Sequence, residues 1–425
     1  MIPDIKASAE TTMEKVWFVD VVTHCGPGCE HSVPVHVALE QCAEILNAKY
    51  IAVVDQNCPL FRGTEKWLRV IHNPRNPTLH DIAQLAKQRQ YYPAVAEIKT
   101  KLSALCELWI RTRSLLKDIN NNATCIVIYL DFANPVQILA VWLSVVCLVA
   151  TRNKTIVWTH FDRISGWQGT KIGRFVRCLF NIFPIKVWTT AYTNEIAAES
   201  SKYGWIVDIL PLPLNPALNA FACNHKSTNE MNVFCEKFDQ LVCWLFITRL
   251  EQGLELLPRM IDHRSARNFP KKFIKCFVSE KARIKENAEI ELVSLPYLSE
   301  EDYRLHFSEC EVVLLPYNAR SFAGSPSMVF VEAVATCKIP IVSDRTVMAR
   351  ELRKFELGDL VMDFDNEFSW AVINDIRKDI SIRARLKLMA ESYIREHDTF
   401  ACAQSLYKSL KQINSKIALS EPKRT

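Results

Sequence analysis

Short apolar runs recur along the chain, separated by longer segments in which apolar and polar positions mix with a helical period. In the first half these runs are KVWFVDVV from Lys15, YIAVVD from Tyr50, CIVIYLDF from Cys125, TIVWTH from Thr155, KVWTT from Lys186 and VDILPL from Val207. A polar stretch, NAFACNHKSTNEMN at 219–232, reads as a linker. A second series follows it: LVCWLFIT from Leu241, KFIKCFVS from Lys272, IELVSL from Ile290, EVVLLPY from Glu311, IPIVSD from Ile339 and LVMDF from Leu360. The runs are continuous rather than alternating, which predicts strands buried on both faces, as in parallel sheets covered by helices. The intervening segments are long enough for crossover helices. The pattern therefore predicts an α/β chain with two parallel-sheet domains in tandem and a helical tail from about Ser381 to Lys416. In such sheets ligands sit at the carboxyl ends of the strands.

Composition narrows this picture only in places. Hydrophobic content of 49% and charged content of 23% are ordinary for a folded protein. A net charge of +5 is too small to argue for a nucleic-acid partner. The 15 cysteines are odd in number and scattered, with no CxxC pair and no zinc-type spacing; they are expected to be reduced core thiols of a cytoplasmic protein. The first twenty residues show no basic region ahead of an apolar core, so no signal peptide is expected. PVQILAVWLSVVCLVA, 135–150, is shorter than the roughly 20 residues a spanning helix needs and reads as a buried core helix. Ten glycines in 425 residues leave no glycine-rich phosphate loop. Two segments, KIGRFVRCLFNIFPIK from Lys171 and KTKLSALCELWIRTRSLLK ending at Lys117, mix cationic and aromatic side chains as interfacial helices do. Packing on their own sheet accounts for them as well.

Four stretches could carry chemistry. In SPSMVFVEAVA, Ser325 suits a helix cap and Pro326 the first helical position. The amides of Ser327, Met328 and Val329 would then be unpaired donors at a helix N-terminus, an anion site that needs no lysine. Glu332, one to two turns in, could reach ribose hydroxyls; a capped core helix explains the same spacing. In LFITRLEQGLELLP a strand runs to Thr248 and a helix starts near Gly253, which puts Arg249 at the strand's carboxyl end. Its guanidinium suits phosphate, and an ion pair with Glu251 or Glu255 is the plain alternative. In VWTHFDR, His160 ends a strand, where a neutral imidazole could bond a sugar hydroxyl or serve structure alone. In VVTHCGPGCEH, Gly26 and Gly28 mark a loop over the sheet edge, either an acceptor loop or a simple turn. There is no metal-ligand cluster, and DFDN at 363–366 falls too late in the second domain for a DxD-type triplet.

The run from VVLLPY through SPSMVFVEAVATCKIPIVSD, together with RLEQGLELLP and with PLPLNP at 211–216, resembles retaining glycosyltransferases of the large family-4 kind. These have the GT-B fold of two facing Rossmann-like domains. The likeness runs from Lys15 to REHDTF at 395–400. It implies an acceptor-binding domain at 1–218, a nucleotide-sugar-binding domain at 219–395 and a helix at 396–425 that crosses back to the first domain. The implied reaction moves a sugar from a nucleotide diphosphate sugar to a hydroxyl of a glycan or lipid-linked saccharide, with retention. No cofactor beyond that co-substrate, no metal and no nucleic acid are implied. The expected location is cytoplasmic, from the cysteines, with peripheral contact on the inner face of a membrane through the two basic aromatic segments as an extension.

Carried over by position, His160 contacts the transferred sugar and Arg249 the diphosphate, as the catalytic pair. The amides of Ser327, Met328 and Val329 face the diphosphate, and Glu332 binds the ribose. Gln252, Gly324 and Ser325 complete the donor side, and Gly26 and Gly28 form the acceptor-side loop. Three departures stand out: Gly324 replaces a frequent first glutamate, Gln252 replaces a lysine, and Cys337-Lys338 replaces a usual glycine. They leave two rivals to the transferase, a sugar-nucleotide epimerase of the same fold and a non-catalytic scaffold.

Overall fold

The structure, a computed structural model, describes residues 16–21, 33–55, 67–71, 91–120, 123–130, 135–152, 154–161, 170–182, 185–211, 213–214, 240–248, 250–282, 284, 289–296, 298 and 300–418. The chain forms two compact units. The first takes Met1–Ala191, Ala197–Ile209 and Leu406–Thr425; the second takes Tyr192–Ile196 and Leu210–Ser405. The predicted linker at 219–232 lies outside the described residues.

The first unit is built on a parallel sheet of β1 (Val16–Val21), β2 (Lys49–Asp55), β3 (Trp67–Ile71), β4 (Cys125–Leu130), β5 (Thr155–Phe161), β6 (Lys186–Ala191) and β7 (Asp208–Ile209), in the order β3-β2-β1-β4-β5-β6-β7. Its helices are α1 (Val33–Ile45), α2 (Tyr91–Asn120), α3 (Pro135–Val146), α4 (Val149–Arg152), α5 (Lys171–Ile182) and the greater part of α6 (Asn194–Ser201), whose first residues fall in the second unit. The central strands are buried along nearly their whole length, as their unbroken apolar runs require. Right-handed crossovers from β3 to β4, β4 to β5 and β5 to β6 put α2, α3 and α5 on one face of the sheet. There α2 packs on α3, and α3 on α5. The apolar stretch from 135 is the buried helix expected, with Ile138, Val141, Trp142 and Val145 in the core. No helix among the described residues is long and apolar enough to cross a membrane.

Two strands differ from the pattern. β3, WLRVI, was not anticipated, because Arg69 breaks its apolar run on an edge strand. VDILPL yields only the exposed pair Asp208–Ile209, because an edge strand has a neighbour on one side alone. The cysteines also divide. Cys42, Cys243, Cys276, Cys310 and Cys402 are buried thiols, but Cys106, Cys147 and Cys178 are exposed on helices or helix ends of the first unit.

The second unit holds β8 (Leu241–Leu245), β9 (Ile274–Ser279), β10 (Ile290–Leu295), β11 (Val312–Leu315), β12 (Ile339–Ser343) and β13 (Val361–Met362), parallel and ordered β10-β9-β8-β11-β12-β13. Its helices are α7 (Leu257–Ile261), α8 (Glu300–Glu309), α9 (Met328–Ala335), α10 (Val347–Lys354), α11 (Trp370–Lys378) and α12 (Ile380–His397), and α13 (Thr399–Ala418) continues into the first unit's residues. Glu311, just before β11, accepts from Arg377 at 3.2 Å and from Arg383, and all three are largely buried. This cluster ties α11 and α12 to the amino edge of the sheet. After α9 the chain turns through Cys337 at φ 56, a left-handed conformation in which glycine is at ease and cysteine is strained. That geometry explains why a glycine would be usual there. Lys338 follows, and its Nζ donates to the carbonyls of Cys310 at 2.6 Å and Ser308 at 3.2 Å, closing the end of α8.

Candidate functional site

At the carboxyl edge of the second sheet, β8 and β11 are neighbours and their exits meet. Gly253 follows the first exit at φ 88, and a Cβ there would lie 2.2 Å from the Pro316 carbonyl oxygen of the second. Only glycine permits both the conformation and the approach. The Asn318 amide donates to the Glu251 carbonyl at 2.9 Å across the same gap. Instead of one helix from Gly253, the chain makes two short 3-10 turns, Leu250–Gln252 and Leu254–Leu256, before α7. Gln252 folds back: its Oε1 accepts from the Thr248 amide and hydroxyl, each at 3.3 Å. β8 itself stops at Leu245, three residues short of the expected end.

The loop from Pro316 to Ser327 is held at successive points. The Asn318 side chain accepts from the Arg320 amide at 2.9 Å, and the Tyr317 ring packs on Phe322 at 4.3 Å. The Val347 amide donates to the Phe322 carbonyl at 2.9 Å. Arg350, paired with Glu195 at 3.0 Å, donates to the Ala323 carbonyl. Thr193 donates to the Gly324 carbonyl at 2.8 Å. Thr193 and Glu195 belong to the segment 192–196 that is part of this unit.

Ser327, and not Ser325, caps α9. Its backbone is extended and its Oγ accepts from the Phe330 amide at 3.3 Å, so the helix begins at Met328. Pro326 stays outside the helix, where its missing N–H costs nothing. With Phe330 satisfied by the cap, Met328 and Val329 are the first-turn amides with no carbonyl a turn behind them. The displaced Ser325 is buried at 7% exposure, and among the described residues its Oγ has no hydrogen-bond partner. An orphaned buried hydroxyl costs about 1–3 kcal/mol unless a ligand or water bonds it. Here it sits three residues before a helix start that favours anions.

Glu332, 2% exposed, accepts a hydrogen bond from the Tyr303 hydroxyl. Tyr303 stands in the first turns of α8, stacked on Phe307 and edge-on to Trp244. Burial and the adjacent Glu332 carboxylate hold its phenol well above the ordinary range, so it remains a donor. Nothing in the sequence singles out Tyr303. Its register toward Glu332 arises only when α8 and α9 pack.

In the first unit, His160 near the end of β5 lies opposite Thr190 of β6. Trp158 Nε1 donates to Thr190 Oγ1 at 2.8 Å, and Thr190 Oγ1 lies 2.8 Å from His160 Nδ1. Thr190 Oγ1 therefore bridges the indole and the imidazole and holds the ring's orientation. Burial alone pushes the His160 pKa down to about 3, so the ring is neutral. Trp158 is sandwiched between Tyr129 at 4.4 Å and Trp188 at 4.5 Å, which fixes the base of this chain. On the same sheet, Asp20 accepts from Tyr50 at 2.5 Å and lies 2.7 Å from His36 Nδ1.

Gly324, Ser325, Ser327, Met328, Val329 and Glu332 thus share one loop and helix start, with Gln252 on the neighbouring exit. His160 belongs to the first unit. Arg249, Gly26 and Gly28 lie outside the described residues, as do Asp162 and Arg163. Asp363 of DFDN is spent on its own turn, accepting from the Asp365 amide at 3.0 Å and the Asn366 side chain at 2.8 Å. Among the described residues no group of three His, Cys, Asp or Glu side chains could hold a metal.

No protein-family model matches the chain, and no curated protein matches it in sequence. Solved structures do match in fold. A glycosyltransferase from Rickettsia africae is 12% identical with a TM-score of 0.59, over 94% of this chain and 99% of that one. Sucrose-phosphate synthase from Thermosynechococcus elongatus is 11% identical with a TM-score of 0.59, over 95% and 100%. An E. coli trehalose-6-phosphate protein bound with UDP-2-fluoro glucose is 11% identical with a TM-score of 0.60, over 93% and 99%. These matches establish the fold: the chain has the GT-B architecture found in glycosyltransferases.

Proposed function

We propose that this protein transfers a sugar from a nucleotide diphosphate sugar to an acceptor hydroxyl with retention of configuration, in the manner of the family-4 enzymes it resembles. The observation that carries the reading is the α9 start: a buried Ser325 hydroxyl, without a partner among the described residues, beside the Met328 and Val329 amides, with Glu332 a turn further in. A diphosphate supplies acceptors for those donors, and the helix dipole favours its charge. Glu332, oriented by Tyr303, is assigned to the ribose. Arg249 is assigned to the diphosphate by position in the sequence. Negative charge builds on the leaving phosphate in the transition state, and donors already in place for it lower the barrier most. The leaving phosphate then takes the acceptor's proton. His160, a neutral imidazole, is assigned to a hydroxyl of the transferred sugar. The UDP-2-fluoro glucose held by the E. coli neighbour supports a nucleotide-sugar donor on this fold. The free thiols fit a cytoplasmic setting.

Isothermal titration with UDP, GDP and ADP tests the donor site. One of them is expected to bind, and Ser325→Val is expected to weaken it. No binding by any nucleotide would overturn both the transferase and the epimerase and leave the scaffold. Donor consumption without any added acceptor, giving an epimerised nucleotide sugar, would overturn transfer.

A further inference from the structure

We infer that the helical layer α2–α3–α5 of the first unit docks on an anionic lipid surface. This inference stands apart from the proposed reaction, since it uses none of the donor-site residues.

The layer covers one face of the first sheet and so has an inner and an outer side. The inner side of α2 buries Leu108, Thr112, Leu115 and Ile119, and that of α5 buries Val176 and Phe180. At 100° per residue, Leu102, Cys106 and Ile110 of α2 lie on the opposite side, as do Phe175, Cys178 and Ile182 of α5. They are exposed there: Leu102 at 58%, Ile110 at 57%, Phe175 at 57% and Ile182 at 65%. A surface helix normally turns charged residues outward. These two present apolar rows on both sides, and the α3 positions between them, Leu139, Leu143 and Val146, are apolar and half-exposed.

Charge selects the occupant. Lys99 and Lys117 lie on the outer side of α2, at either end of its apolar row, and both are exposed. α5 carries Lys171, Arg174 and Arg177 and no acid, with Lys171 and Arg174 exposed on its outer side. Arg174 lies over the Tyr203 ring at 5.6 Å. Among the described residues no acid forms an ion pair with Lys99, Lys117, Lys171 or Arg174. A protein partner would need matching acids in a fixed pattern. An anionic bilayer needs only cations around an apolar face that enters the headgroup region, which is the pattern seen.

The test is co-sedimentation of the full chain with vesicles of phosphatidylcholine alone or mixed with phosphatidylglycerol, without nucleotide. Binding to the anionic vesicles only, weakening as salt rises, is expected. Lys117→Gln/Lys171→Gln should lower the vesicle affinity about fivefold per removed cation. Phe175→Ser/Ile182→Ser should abolish binding without changing the far-ultraviolet circular dichroism, because both residues are exposed. Nucleotide titration on the same variants should be unchanged, so failure here is distinguishable from failure of the donor site. Absence of vesicle binding, equal binding to neutral vesicles, or binding insensitive to both double substitutions would overturn the proposal. Self-association that the same substitutions dissolve would also overturn it, in favour of a second copy of the chain.

Discussion

Tyr303→Phe removes one hydroxyl and leaves the ring's packing on Phe307 and Trp244 in place. What is lost is the hydrogen bond to Glu332, whose side chain is too buried for water to take over. A hydrogen bond to a charged group contributes about 1.5–3 kcal/mol. Urea unfolding of the variant should therefore give a stability lower by about 2 kcal/mol, close to a thirtyfold change in the folded-to-unfolded ratio. Glu332→Gln keeps an acceptor for the hydroxyl and should cost less alone. The double substitution should then reveal a coupling of about 1 kcal/mol or more in the cycle. If Tyr303 orients Glu332 toward a ribose, Tyr303→Phe should also weaken the nucleotide that binds by about tenfold. A stability change under about 0.5 kcal/mol, with no coupling in the cycle, would refute the reasoning.

The remaining predictions concern the frame around the two sites. Glu311→Gln should destabilise the protein by about 3–5 kcal/mol in urea, because it leaves Arg377 and Arg383 facing each other without their shared carboxylate. Gly253→Ala should cost more than about 2 kcal/mol by the same measurement, since the new methyl meets the Pro316 carbonyl and the backbone is left-handed. His160, held down to about 3 by burial, stays neutral in the folded chain, whereas the unfolded chain protonates it near 6.5. Its share of stability is therefore complete above pH 6.5 and is lost progressively as pH falls toward 3, by up to about 1.4 kcal/mol per pH unit. His160→Gln should flatten that slope relative to the parent, and an imidazole NMR signal that titrates near 6.5 would contradict the assignment.

Legibility in the sequence followed the length scale of each interaction. The strand runs were readable because a strand buried on both faces must be apolar at every position, as β4, β5 and β11 are. Edge strands escape that rule, and β3 and the short β7 were accordingly missed or overextended. The α9 start was visible as Ser-Pro-Ser, but which serine caps it was not, because both suit the position equally. Contacts far along the chain decided that: Thr193 and Arg350 hold the carbonyls of Gly324 and Ala323, and the helix starts after the loop they hold. Cys337 is the reverse case. The departure from glycine was plain in the sequence, and the left-handed backbone that gives it meaning appeared only in the fold.

Local composition therefore determined the class of this protein: alternating buried strands and crossover helices, two sheets, and an anion-favouring helix start near Ser325. Tertiary packing decided the chemistry's partners. Tyr303 and Glu332 are 29 residues apart, and Trp158, His160 and Thr190 meet only across paired strands. Propensity acts within a few residues and leaves such meetings unspecified. Burial then makes each of them consequential, because a polar group removed from water must find its partner in the chain or in a ligand. Ser325 found none among the described residues.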